Sequence, residues 1–314
     1  MMITTAFKND ILEGLQKEQK TLPSKYFYDE KGDRIFQEIM VMPSYYLPRC
    51  EREIIRDKSA AIFEKIKEDK EKIDVVELGA GDGTKTVEVL RIGDDLNRVK
   101  NYIPLDISPN ILELNEKNVK NVIPHLSVQP IAGDFFKTLK EIKTGGARKL
   151  VLFMGGNIGN FPHEKAVSFL QLLKESLSDE DYILIAFDLK KNPKTILKAY
   201  NDDEGITKRF NLNILHRMNR ELGCNIDADK FDHYPHYDPI SGRTYSYIVS
   251  LENQTIQIED VAINLKNNEV IHTEISKKYS LTAVEELMDE VGFKVVDHFL
   301  DEKEFYSLTL VRNG

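Results

Sequence analysis

IDVVELGAGDGTK, residues 73–85, joins a short apolar run to a loop with glycine at every second position. Ile73–Leu78 is β-branched and apolar, as a strand buried on both faces should be. Gly79, Gly81 and Gly83 then allow a tight turn and a close approach of backbone to a ligand, and Lys85–Arg91 continues as a helix. Working outward, Tyr102–Asp106 reads as a second strand, and Ser108 as the N-cap of a helix over Asn110–Lys120. Leu126–Ala132 reads as strand three, Lys149–Met154 as strand four, Glu164–Leu177 as a helix and Tyr182–Leu189 as strand five. Strands alternating with helices at this spacing call for a parallel sheet covered by helices on both faces.

The rhythm stops after Asp188. A polar helical stretch follows, then strand-like runs at Thr244–Leu251 and Thr255–Ile263. It resumes with a helix at Thr282–Val291 and two runs, Lys294–Phe299 and Phe305–Val311, whose short turn at Asp301–Lys303 makes them a hairpin. The first 55 or so residues carry no strand signal. The expected organisation is an α/β sheet domain over 56–190 and 278–314, with a second, α+β domain built from 1–55 and 191–277. That second domain is expected over the carboxyl edge of the sheet, where open α/β sheets bind ligands.

The composition narrows the function. The 314 residues carry 43 Lys+Arg against 52 Asp+Glu, a net charge of −9, which argues against a surface for duplex nucleic acid. Hydrophobic residues at 41% are enough for a core. Cys50 and Cys224 are far apart with no C-x-x-C, so neither a disulfide framework nor a zinc cluster is expected. The N-terminus lacks an apolar signal core and no run is long enough to span a membrane. The expectation is a cytoplasmic, monomeric protein acting on a small molecule, without nucleic-acid or membrane partners.

A glycine loop alone is also what an ordinary tight turn looks like. Nicotinamide sites prefer G-x-G-x-x-G and set a diphosphate on the helix N-terminus; here the pattern is G-x-G-x-G with Glu77 two residues before it. Asp106 closes strand two where a carboxylate can accept both hydroxyls of a ribose. Asp134 and Phe135 close strand three and offer a hydrogen bond and a stacking face to an adenine, although Asp134 would serve equally as a surface cap. Acidic contacts to a nucleoside, without a diphosphate cradle, suit S-adenosyl-L-methionine, whose sulfonium is cationic. The C-terminal hairpin resembles the terminal strands of class I methyltransferases.

A more specific resemblance runs in order from about residue 20 to the C-terminus. KYFYDEKGDRIFQEI (Lys25–Ile39), MPSYYLPR (Met42–Arg49), VELGAGDGTKT (Val76–Thr86), GGNIGNF (Gly155–Phe161), AYNDDEGITKRFN (Ala199–Asn211), NRELG (Asn219–Gly223) and IHTEISKKY (Ile271–Tyr279) resemble the histidine-specific Nα-methyltransferases of ergothioneine biosynthesis. That family methylates the α-amine of histidine three times with S-adenosylmethionine, giving the betaine hercynine. The resemblance implies a Rossmann-like class I methyltransferase domain and a substrate-binding domain. It implies that Tyr45, Gly79, Lys85, Asp106, Asp134 and Phe135 line the cofactor site, and that Tyr28, Asn160, Tyr200, Glu274 and Ser276 line the amino-acid site. One position departs: Ser246 stands where the histidine-specific members resembling this chain carry a methionine near the imidazole.

The residue types suit the chemistry. Asn160 can fix an amine through a neutral carbonyl without pinning an ammonium as a carboxylate would, although in GGNIGN it would also serve simply to shape a turn. Tyr28 and Tyr200 can donate from a phenol, and with Asn160 they are the candidate catalytic residues. Tyrosine faces can hold the quaternary product, and core packing is the alternative for Tyr26 and Tyr46. Glu274 can accept an imidazole N–H; a solvated strand charge is its alternative. Asp232, His233, His236 and Asp238 in FDHYPHYD resemble a metal cluster by composition, but Pro235 and Pro239 predict a bent surface loop and no metal. The charge run over residues 64–72 reads as a solvated helix face. Three other readings stay open: an Nα-methyltransferase for tryptophan or tyrosine, a nicotinamide-dependent dehydrogenase, and a non-catalytic S-adenosylmethionine-binding module.

Overall fold

The computed structural model describes residues 2–66, 72–133 and 147–313. Helices α1 (Met2–Leu15), α2 (Glu30–Val41) and α3 (Leu47–Lys65) precede strand β1 (Ile73–Leu78), α4 (Thr86–Asp95), β2 (Val99–Asp106) and α5 (Pro109–Val122). Two short strands, β3 (Ser127–Val128) and β4 (Ile131–Ala132), lead to β5 (Lys149–Phe153), α6 (His163–Glu175) and β6 (Tyr182–Asp188). Then come α7 (Pro193–Tyr200), α8 (Ile206–Leu222), β7 (Phe231–Asp238), β8 (Arg243–Ser250), β9 (Gln254–Ile258), β10 (Val261–Leu265) and β11 (Val270–Lys277). The chain closes with α9 (Leu281–Val291), β12 (Phe293–Leu300) and β13 (Tyr306–Asn313).

The chain divides into two compact units, residues 1–46 with 191–277, and residues 47–190 with 278–314. The expected break at 55/56 would cut through α3. That helix belongs whole to the sheet unit, because it buries Ile54, Ile55, Ile62 and Phe63 and packs on α4, β12 and β13.

In the sheet unit the strand order is β12-β13-β6-β5-β1-β2-β3, with β4 also on β2. β1, β2, β5 and β6 pair in parallel, whereas β13 runs antiparallel to β6 and β12 antiparallel to β13. A parallel sheet reversed by a terminal hairpin is the class I methyltransferase arrangement. β1 and β6 are buried along their whole length because helices cover both faces. Ser108 caps α5 as expected, its Oγ accepting from Ile111 N at 3.4 Å. The single third strand becomes two because Pro130 has no N–H to offer between β3, paired at Asn101–Tyr102, and β4, paired at Leu105–Asp106.

The other unit contains the antiparallel sheet β11-β8-β7 and the hairpin β9-β10. The run expected as one strand over Thr255–Ile263 folds back at Glu259, whose φ of 49° is left-handed. FDHYPHYD is strand β7 and not a loop: it is an edge strand, where a missing proline N–H costs no ladder bond. Its inner face and α1, α2 and α8 share a core that includes Phe7, Ile11, Phe27, Phe210, Met218 and Phe231. Each such fully buried aliphatic or aromatic side chain contributes about 1.5–3 kcal/mol.

Candidate active site

In the sheet unit, the loop after β1 is shaped by its glycines. Gly79 and Gly81 are left-handed, at φ 67° and 55°, and a Cβ built on either would meet no heavy atom within 4 Å. A Cβ on Gly83 would instead strike the Asn115 side chain at 2.8 Å. The first two glycines thus leave an open approach to the backbone, and the third permits close packing. Asp106, at the end of β2, accepts from Gly81 N at 3.0 Å through Oδ2 and from Ser108 N at 3.1 Å through Oδ1. A carboxylate offers about four lone-pair sites, so half remain for ligand hydroxyls. Open backbone beside a half-satisfied carboxylate fits a nucleoside such as that of S-adenosylmethionine.

Glu77 does not join this open ground. It is 3% exposed and accepts from Thr86 Oγ1 at 2.6 Å and from the Tyr102 hydroxyl. Burial pushes its carboxyl up to about 7, against the lowering effect of those two hydrogen bonds.

Lys85, the residue entering α4, reaches Glu51 Oε2 at 2.5 Å. Desolvation alone would depress its ammonium, but the charge of Glu51 and this hydrogen bond outweigh it and hold the pKa above the ordinary lysine value. Glu51 had no signal in the sequence: it is one acid among several on a polar helix, and only the fold shows it 1% exposed. Its Oε1 also accepts from Gly155 N at 2.6 Å and the Tyr306 hydroxyl at 3.0 Å. Gly155 and Gly156, left-handed at φ 80° and 69°, open the loop after β5 and turn it into the 3₁₀ segment Asn157–Asn160. Asn160, at its end, is exposed. Asp134 and Phe135 lie outside the described residues, as does most of the charge run.

In the other unit, β11 carries a bulge between His272 and Glu274. The extra residue, Thr273, is 4% exposed and its hydroxyl bonds Ser246 O at 2.9 Å, with Asn211 Oδ1 at 3.1 Å as a second acceptor. Glu274 then pairs with Ser246, and Ser276 with Thr244. Ser246 and Thr244 are the buried, inward residues of β8, so Glu274 and Ser276 share their face. The Tyr200 hydroxyl at the end of α7 donates to Ser276 Oγ at 3.1 Å, and both residues are 8% exposed.

Tyr28 follows the 3₁₀ segment Ser24–Phe27, and its ring stands edge-on to Phe36 and Phe210 at 5.4 and 5.3 Å. It is 43% exposed. Desolvation by the surrounding protein, then the negative charges of Glu274 and Asp33, push its phenol above the ordinary tyrosine value. The fold thus gathers Tyr28, Tyr200, Ser246, Glu274 and Ser276 within this unit. Tyr45 belongs to the same unit, partly buried against its core, while Asn160, Gly79, Lys85 and Asp106 belong to the sheet unit. Tyr26 is a core residue, its hydroxyl donating to Asp10 Oδ2 at 2.7 Å.

His233 sits on the inner face of β7, where burial lowers its imidazole to about 4. Among the described residues, no group of His, Cys, Asp and Glu is arranged to hold a metal. No helix of the described residues is long and apolar enough to cross a membrane. Cys50 and Cys224 are both buried free thiols.

The histidine N-alpha-methyltransferase of Mycobacterium tuberculosis is 30% identical over 97% of this chain and 94% of its own length. Ergothioneine biosynthesis protein 1 of Schizosaccharomyces pombe is 28% identical over 92% of this chain and 38% of that protein. An L-tryptophan methyltransferase of Psilocybe serbica is 27% identical over 96% of this chain and 91% of its own length. The family model described as histidine-specific methyltransferase, SAM-dependent, matches residues 7–313. The chain therefore belongs to the histidine-specific, S-adenosylmethionine-dependent methyltransferase family.

Proposed function

We propose that the protein methylates the α-amine of L-histidine, three times, to give hercynine. One observation carries the choice of acceptor: the bulge at Thr273 turns Glu274 onto the same sheet face as Ser246 and Ser276, with the Tyr200 hydroxyl on Ser276. A carboxylate and a hydroxyl side by side suit the two nitrogens of an imidazole, one donating to Glu274 and the other meeting Ser276.

Gly79, Gly81, Lys85 and Asp106 would hold S-adenosylmethionine, which when bound supplies an electrophilic methyl group. The protein's own contribution is alignment, which in favourable cases supplies about 7–11 kcal/mol. Asn160 accepts from the α-amine through its amide oxygen and so orients a nitrogen that must present a lone pair. Tyr28, whose phenol is held above the ordinary tyrosine value, is a neutral donor at neutral pH, so it can bond the substrate's carboxylate or amine without adding a negative charge. Before each transfer the ammonium releases a proton to solvent to bare its lone pair; the N–C bond then forms as the methyl's bond to sulfur breaks, and after the third transfer the nitrogen is a quaternary cation that donates no hydrogen bond. Tyrosine faces then hold it at about 0.5–2 kcal/mol each.

Ser246 favours a second reading, methylation of tryptophan. It is 2% exposed, faces Glu274 and is small, so less side chain limits the ring beside the carboxylate, and an indole N–H can also donate to Glu274. Release of S-adenosylhomocysteine with each amino acid offered singly separates the two. Turnover with histidine supports the first reading; turnover with tryptophan and none with histidine replaces it.

A further inference from the structure

Glu51 is a buried acid among the buried apolar residues of α3. A buried carboxylate is costly unless its oxygens are fully bonded, and here both are: Oε2 by Lys85 Nζ at 2.5 Å, Oε1 by Gly155 N at 2.6 Å and the Tyr306 hydroxyl at 3.0 Å. The three donors come from three places, the loop after β1, the loop after β5 and the first residue of β13. β1 and β5 are the adjacent strands at which the order of the sheet reverses, the point where open α/β sheets take ligands. The turn is moulded around the same group, since a Cβ on Gly156 would press on the Tyr306 hydroxyl at 3.2 Å.

We infer that Glu51 is a positioning residue: its one carboxylate fixes Lys85 and the Gly155 amide in a single register. It thereby sets the loop that would hold the cofactor relative to the loop that ends at Asn160. The inference rests on the reaction proposed above for the roles of those two loops.

Glu51→Gln tests it, keeping the shape and one acceptor oxygen while removing the charge. With histidine as acceptor, kcat should fall about 100-fold, the loss that misplacing a reacting group by about an ångström brings. The dissociation constant for S-adenosylhomocysteine, read by calorimetry, should rise about tenfold through Lys85. The histidine KM should stay within about twofold, because the groups that Glu51 bonds, Lys85, the Gly155 amide and the Tyr306 hydroxyl, all belong to the sheet unit. Tyr306→Phe removes one neutral donor and keeps the ring, and should cost about fivefold in kcat at constant KM.

A carboxylate with a merely structural role would lower the melting temperature and leave kcat and cofactor affinity per folded molecule unchanged in both variants, which overturns the inference. Should Glu51→Gln not fold, Tyr306→Phe decides: reduced kcat at constant KM supports it, and unchanged kcat overturns it. The wild type is the separate control for the reaction itself. If it binds S-adenosylhomocysteine yet methylates no amino acid, the proposed function fails; the calorimetric comparison of the variants still judges Glu51.

Discussion

Glu274 and Ser246 stand directly opposite each other on β11 and β8, and they do so only because Thr273 adds one residue to one side of the ladder. In a regular strand Thr273 and Glu274 would face opposite ways. The bulge points both inward, converting a position that strand alternation would expose into one that faces the buried hydroxyls of β8.

In the function proposed above, Glu274 is the residue whose loss should separate the two binding steps. Glu274→Ala should raise the histidine KM by about 10–100-fold, the cost of leaving a polar ring without its charged acceptor. The S-adenosylhomocysteine dissociation constant should move by less than about twofold. Initial-rate kinetics beside calorimetry check both, and parallel loss of the two affinities would remove Glu274 from the amino-acid site.

Ser246→Met should sharpen the choice of ring. The larger side chain takes space beside Glu274, so the ratio of kcat/KM for histidine over tryptophan should rise by about tenfold or more, which is what a single methylene in a pocket is worth. Competition between the two amino acids, followed by mass spectrometry, gives the ratio. An unchanged ratio would place Ser246 outside the acceptor pocket.

Tyr200→Phe deletes one hydrogen bond, the 3.1 Å contact to Ser276. A neutral bond of this kind contributes about 1 kcal/mol, so the histidine KM should rise about fivefold. A KM that does not change would make the contact incidental to binding.

Glu77 predicts a pH dependence of stability. Its folded-state pKa of about 7 lies above the ordinary 4.5, so between those values the folded protein holds a proton that the unfolded chain releases. Stability therefore falls as pH rises through this window, and the full cost is present above pH 7. Relative to Glu77→Gln, the wild type should lose about 3 kcal/mol between pH 4 and pH 8. Denaturant titrations of both proteins across that range measure it, and parallel curves would contradict a buried, protonatable Glu77.

The sheet was legible because β1, β5 and β6 are buried on both faces and so are dominated by apolar residues, a pattern that survives in the bare sequence even around the buried Asp74 and Glu77 of β1. Elements with one wet face or one unusual residue were not. Pro235 argued for a loop because proline is excluded from central strands, and sequence does not show that β7 lies at an edge. The turn at Glu259 stayed hidden because its left-handed backbone is carried by a residue other than glycine. The break at 55/56 falls inside α3 because the lack of a strand signal does not show which unit a helix packs on; Ile54, Ile55, Ile62 and Phe63 tie that helix to the sheet unit. In the candidate site, Asp106 and the glycines were visible as strand-end punctuation. The bulge at Thr273 and the buried Glu51 follow from packing across distant segments, and no local pattern announces either one.

What becomes of histidine itself decides between these outcomes most directly. Incubated with the protein and S-adenosylmethionine labelled in the methyl group, then fragmented in a mass spectrometer, histidine should carry one, two and finally three labelled methyls, all on the α-nitrogen. Label on a ring nitrogen, or histidine recovered unchanged by a protein that binds S-adenosylhomocysteine, would contradict the proposed function.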